Sequence, residues 1–402
     1  MRTGLLLLGF GCSLGAATLG MLLLNTQHSV QRFSAQLRIA AAGDPVQAHR
    51  KWRALALEAR ERAVLYEEWI EAEHLDRGMV VHRHAGGRSS GECDSLLFSS
   101  LRYVALEKLG WQDKARHAWS AIERAYERGR WLRHPQCRRK STSRDMIVGL
   151  LTAINQNPQG KDLSLKRTLD IIDRTDGSVD QGPFYVSRLS PGLGELLKQM
   201  SLSRGWPLDT LPSDVRIGFS TLEVDTWLAS PGYTSHLNGL VLWNELLLLE
   251  RQQATRSLSQ LIDGMAPPLL ELDWSSRRLE WSAQKLAELD PQNLFFVWLK
   301  HRSAGSLNDQ TRADLLERLL AMPQFPPDRL PENCDRKADY LWQRSSWEYQ
   351  PQPGVRCAER FHGVDFLWMV ALLTDENDRD TAHLPMALHD AQDTPSAYQD
   401  AH

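Results

Sequence analysis

Five stretches of this chain are apolar on nearly every helical face, and each opens on a small group of polar residues. Cys93-Asp94-Ser95 precedes Leu96 to Leu109, Ser143-Arg144-Asp145 precedes Met146 to Ile154, and Tyr233 to Asn238 precedes Leu240 to Leu249. Asp290 to Asn293 precedes Leu294 to Leu299, and His362 to Asp365 precedes Phe366 to Leu373. A helix apolar all round is buried on all sides. Polar groups at the starts of several such helices can converge at one end of a buried bundle, so one face of the protein is the place to look for a site.

Between these runs the period changes. Gln112 to Tyr126 places Ala115, Ala118, Trp119, Ile122 and Ala125 on one face, the one-sided stripe of a half-exposed helix. Leu163 to Ile172, Leu258 to Met265, Arg277 to Leu289 and Asn308 to Leu320 read the same way. Another helix is predicted over Leu193 to Leu202, where Ser190 caps and Pro191 fits the first turn. Val46 to His74 is polar and rich in Ala, Glu and Arg, which predicts a surface helix or helix pair. Only Pro183 to Leu189 suggests a β excursion, so the fold class is all-α.

One buried helix followed by one half-exposed helix is the alternation that two concentric layers require. Over residues 92–373, with helix starts such as Ser141-Thr142-Ser143-Arg144-Asp145-Met146 and Gly363-Val364-Asp365-Phe366-Leu367-Trp368, it resembles the (α/α) toroid family of glycoside hydrolases and polysaccharide lyases. That resemblance implies a two-layer toroid-like array with a pocket at the polar helix starts. An open helical array is the structural alternative.

The termini extend this picture. Gly4 to Leu24 carries no charge and follows Arg2; at ~1.5 Å per residue it matches a hydrocarbon core of about 30 Å. Residues 1–25 therefore read as an uncleaved signal anchor, with cleavage near Ala16 or Ala17 as the alternative. Residues 26–91 read as a stalk, an amphipathic segment and a glycine-rich loop, and 374–402 as a disordered acidic tail. Cys93, Cys137, Cys334 and Cys357 form an even set outside the anchor. Four cysteines allow three pairings; proximity favours Cys93 with Cys137 and Cys334 with Cys357, which requires an oxidising compartment. Together these features predict a single-pass inner-membrane protein with its main domain in the periplasm. Free buried thiols are the competing reading.

Composition removes several functions. Charged residues are 24% and the net charge is -3, so no basic stripe for nucleic acid is expected. His82-Arg83-His84 lacks an obvious third ligand, and the cysteine spacings do not suit zinc. No phosphate-binding glycine loop, dinucleotide fingerprint, Gly-x-Ser-x-Gly elbow or His-Glu-x-x-His occurs, so neither cofactor nor metal is predicted.

The remaining chemistry lies at the helix starts. Asp94 and Asp145 suit either helix-end stabilisation or paired acid and base work, which needs carboxyl groups ~5–5.5 Å or ~6.5–9.5 Å apart. Arg144 is able to pair with Asp94 or Asp365, or to clamp an anionic group. His134 and His236 are alternative bases; Tyr233 beside His236 suits proton abstraction next to a uronic-acid carboxylate. Trp347, and Tyr185 in a loop after Asp176-Gly177, are candidate sugar platforms, whereas Trp243, Trp298 and Trp368 read as core. The expected function is a glycan-binding or glycan-cleaving envelope protein acting on polysaccharide or peptidoglycan. The alternative is a non-catalytic scaffold in an envelope protein complex.

Overall fold

A computed structural model of the chain describes residues 44–81, 83–84, 95–137, 142–181, 186–206, 226, 233–263, 269–321, 359–360 and 362–376. Eleven helices are described: α1 Pro45–Glu73, α2 Ser95–Lys108, α3 Gln112–Glu123, α4 Arg144–Gln156, α5 Asp162–Arg174 and α6 Pro191–Leu202. They continue with α7 Tyr233–Asp263, α8 Leu269–Leu289, α9 Leu294–Ser303, α10 Asp309–Leu320 and α11 Val364–Leu373. The Gly4–Leu24 segment lies outside the described residues, and no described helix is long and apolar enough to cross a membrane.

The two helix types differ in burial as their periodicities require. In α11 every residue is buried, and in α4 every residue from Met146 to Asn155. By contrast α3 buries only Ala115, Ala118, Ala121 and Ile122. α1 is one helix rather than a pair, and it buries a stripe through Trp52, Ala56, Ala59, Ala63, Tyr66 and Ile70. Ser190 and Pro191 start α6 as expected, with the Ser190 hydroxyl accepting from Leu193 N–H at 3.4 Å. One expectation fails: Leu258 to Met265 does not begin a new helix, because α7 runs unbroken to Asp263.

Contacts between the buried helices fix their directions. Gly149 of α4 lies against Leu97 of α2, and Asn157, just past α4, donates to Glu107 of α2 at 3.1 Å. Asn244 of α7 donates to Thr152 of α4 at 2.7 Å, and Arg251 to Asn155 at 2.8 Å. Between α7 and α9 the pairs are His236 with Asn293, Trp243 with Trp298, and Glu250 with Arg302. Between α2 and the α11 region they are Phe98 with His362 and Lys108 with Asp375. Each set advances in the same sense along both partners, so α11, α2, α4, α7 and α9 run parallel. Their N-termini lie at one end. Phe295 of α9 meets Trp368 of α11 at 6.0 Å, which brings the series of contacts back to its first helix.

α1 runs the opposite way to α11: Tyr66 stacks on Phe366 at 4.3 Å, while Trp52 Nε1 donates to the Leu373 carbonyl at 3.0 Å. α10 packs along α1, tied by His49–Asp309 and by Arg62 donating to the Leu320 carbonyl. Thr374 and Asp375, placed by their acidic sequence in the tail, are buried, and Asp375 accepts from Lys108 at 2.6 Å.

Short strands join the helices. Leu75–Asp76 pairs with Met79–Val80, Tyr126–Glu127 with Arg130–Trp131, and Ser178–Gln181 with Val186–Arg188. Arg83–His84 pairs with Glu359–Arg360. The first two hairpins turn on Arg77-Gly78 and Arg128-Gly129, each residue at positive φ. Such two-residue turns favour Asn or Asp before Gly, and Arg in that place hides the signal.

Candidate functional site

At the shared end, the polar helix starts are buried: Ser95, Thr142, Ser143, Ser235, His236, Asn238, Asn293, His362 and Asp365 all belong to the buried polar set. Asn293, His362 and Asp365 accept from N–H groups at the starts of their own helices. Asn293 caps α9, its Oδ1 accepting from the N–H groups of Phe295 (3.1 Å) and Phe296 (3.3 Å). Its amide nitrogen is therefore turned to His236 Nε2 at 3.2 Å, so that nitrogen accepts and the imidazole carries its proton on Nδ1. Asp290, one turn earlier, is also buried, and burial raises its pKa against the lowering effect of the Gln292 and Asn293 N–H groups and the Asn293 side chain. Asp290, Asn293 and His236 thus form one hydrogen-bonded series across α7 and α9. Neither Asp290 nor Asn293 stood out as a site residue in the sequence, because one function of Asn293, the cap, is common to ordinary helices.

Around α4 the arrangement differs. Ser143 does not cap the helix with its side chain. Its hydroxyl donates to the Asp145 carboxylate and accepts from Arg133 Nη2, while the Arg133 carbonyl accepts from Leu96 N–H at 2.9 Å. Thr142 is held by Asp180, which accepts from its N–H at 2.8 Å. Arg144 is half-buried and makes no hydrogen bond or ion pair among the described residues. The pairing with Asp365 open to it from sequence is not formed.

His134 stands apart from this end in its bonding. Its Nδ1 accepts from Gln136 N–H at 3.1 Å, which leaves Nε2–H to donate to the Asp76 carbonyl at 3.2 Å. Burial lowers its pKa, outweighing the carbonyl and carboxylate of Asp76. Nε2 thus ties the loop before α4 to the first hairpin, and Nδ1 holds the turn of its own loop. His362 is likewise engaged, its Nδ1 accepting from Val364 N–H at 3.0 Å and its ring 4.2 Å from Phe98. Asp365 Oδ1 accepts from Phe366 N–H at 3.1 Å.

Among the described residues at this end, the buried atoms without a partner include the Ser95 hydroxyl and the Asn238 amide nitrogen, each residue 2% exposed, and Asp290 Oδ2. They are the signal that sequence alone did not carry, since an unspent hydrogen bond is visible only once neighbours are known. Trp243, Trp298 and Trp368 are core, with Trp243 4.8 Å from Trp368. Tyr233 opens α7 at the same end. Asp176-Gly177 makes the expected turn, both residues at positive φ. No cluster of three metal-ligating side chains occurs among the described residues.

Asp94, Trp347, Tyr185, His82, Cys93, Cys334 and Cys357 lie outside the described residues. Cys137 is described, but each cysteine proposed to pair with it or with one another lies outside the described residues. No protein-family model, curated protein or solved structure matches this chain.

Proposed function

We propose that the polar end of the five parallel helices binds an anionic glycan, on a protein anchored in the inner membrane by Gly4–Leu24 with its helical body in the periplasm. One observation carries the reading: five helix N-termini share one end, and Arg144 stands there half-buried with no partner among the described residues. Helix N-termini present N–H groups and positive dipole ends to anions. An unpaired guanidinium adds a planar fork matched to a carboxylate. The unspent Ser95 hydroxyl and Asn238 amide are suited to sugar hydroxyls.

The contact series that returns from α9 to α11 supports a closed, toroid-like arrangement with five buried helices, and the half-exposed helices supply its outer layer. In this reading Cys137 pairs with Cys93, and Cys334 with Cys357. Cleavage, where it occurs, falls to Asp145 with Asp94 as acid and base, since His134 is committed to the hairpin. Trp347 and Tyr233 flank the sugar, Asp365 orients it, and His236 is the reserve base.

A scaffold role in an envelope complex is the second reading, favoured by the number of site side chains already bonded within the fold. Calorimetry separates the two. Oligosaccharides rich in uronic acid should bind, and Arg144→Gln should weaken them about 10- to 100-fold, the worth of a charged hydrogen bond, with neutral sugars unaffected. Turnover that Asp145→Asn and Asp94→Asn abolish adds cleavage. Absence of binding to any anionic glycan, or indifference to Arg144→Gln, refutes the site.

A further inference from the structure

α1 carries a second surface that no described residue covers. Four of the seven exposed large apolar side chains among the described residues lie on it: Val46 (55%), Leu57 (62%), Val64 (43%) and Leu65 (58%). At the helical repeat, Val46, Leu57 and Val64 fall on one line along the outward face. The charged residues beside that line are also distinctive. Lys51, Glu58, Arg60, Arg62, Glu67 and Glu71 all bond within the chain. Arg50, Arg53, Glu61 and Glu68 are exposed and bond to nothing among the described residues. All four lie on the outward stripe, the two arginines in its first half and the two glutamates in its second.

That division selects the occupant. We infer that α1 pairs antiparallel with α1 of a second copy of this chain. A parallel pairing sets arginine near arginine and glutamate near glutamate, whereas reversal sets each basic half against an acidic half. The register that places Leu57 opposite Val64 also places Arg53 opposite Glu68, and two-fold symmetry repeats both contacts. A membrane surface fits worse, because Glu61 and Glu68 sit within the stripe and anionic lipid repels them. The contact surface is one helix, about 43 Å long, which suits the weaker end of specific interfaces. It is on the opposite side of α1 from the stripe buried against the fold, so pairing leaves the helix starts untouched.

Sedimentation of the full chain in detergent tests this, with Arg53→Glu, Glu68→Arg and the double variant compared with wild type. Wild type should dimerise. Each single change replaces two opposite-charge contacts by two like-charge ones and should weaken the dimer about tenfold or more. The double variant should recover to within about threefold of wild type. Circular dichroism melting should be unchanged for all three, because neither side chain has a hydrogen bond or ion pair among the described residues. A second arm mixes Leu57→Cys and Val64→Cys chains in membranes, where oxidation should link the two copies. The inference fails if wild type is monomeric, if the double variant is as weak as the singles combined, or if Leu57→Cys links to a different protein instead.

Discussion

Arg102 and Glu67 hold α1 to α2 by a bidentate ion pair: Arg102 Nε donates to Glu67 Oε2 at 3.0 Å, and Nη2 to Oε1. The arginine is 3% and the glutamate 1% exposed. Burial raises the Glu67 pKa, and the arginine and Lys114 only partly offset it. Arg102→Met removes the guanidinium and leaves Lys114, 3.8 Å away and itself over a third exposed, as the nearest cation. Stranding one charge of a buried pair costs about 3–5 kcal/mol. The sign with pH follows from the raised pKa. Such a group contributes its stability below its unfolded pKa and loses it as pH rises through the folded value. In Arg102→Met the folded value climbs further, so the cost should be small at about pH 4.5, where Glu67 is protonated, and largest above neutrality. Urea unfolding at several pH values reads this as a falling midpoint at constant slope. Adding Glu67→Leu should recover most of the loss at neutral pH, since an apolar pair of similar volume removes the stranded charge. A cost below about 1 kcal/mol at neutral pH, or one independent of pH, refutes the reasoning.

Three further outcomes are expected. Asn293→Ala removes a cap and strands His236 Nε2, and should destabilise by about 2–4 kcal/mol in the same assay. Gly239→Ala should cost about 1–3 kcal/mol by overpacking, because a Cβ there would lie 2.8 Å from the Phe296 ring and 3.2 Å from that of Phe295; an unchanged melting temperature contradicts the packing. Nitrogen NMR of the histidines should find opposite tautomers, Nε2–H for His134 and Nδ1–H for His236. On titration His134 should gain its second proton below the ordinary imidazole range. It therefore contributes stability above that range, which is lost as pH falls through its lowered folded value; a titration at the ordinary value refutes the burial argument.

The all-α class and the two kinds of helix were legible in the chain, because burial on one side or on all sides is written directly as the spacing of apolar residues. α4, α11 and the Ser190-Pro191 start of α6 needed nothing more. Where α7 ends was not legible: Arg251 interrupts the apolar run, yet the helix continues because the arginine turns inward to cap α4 through the Asn155 and Gln156 carbonyls. The hairpins at Arg77-Gly78 and Arg128-Gly129 escaped for a local reason, an uncommon residue in the left-handed turn position. The polar starts were readable as a set of residues but not as bonded groups. Sequence marks Asn293, His236, Ser143 and Asp145 as hydrophilic, and it is equally silent on which are spent. Only packing α2, α4, α7, α9 and α11 in parallel brings their ends together, turns His134 toward Asp76, and leaves Arg144 without a bond among the described residues. Periodicity is a property of neighbours along the chain, whereas a site is a property of neighbours in space, and the second follows from the first only after every helix has chosen its direction.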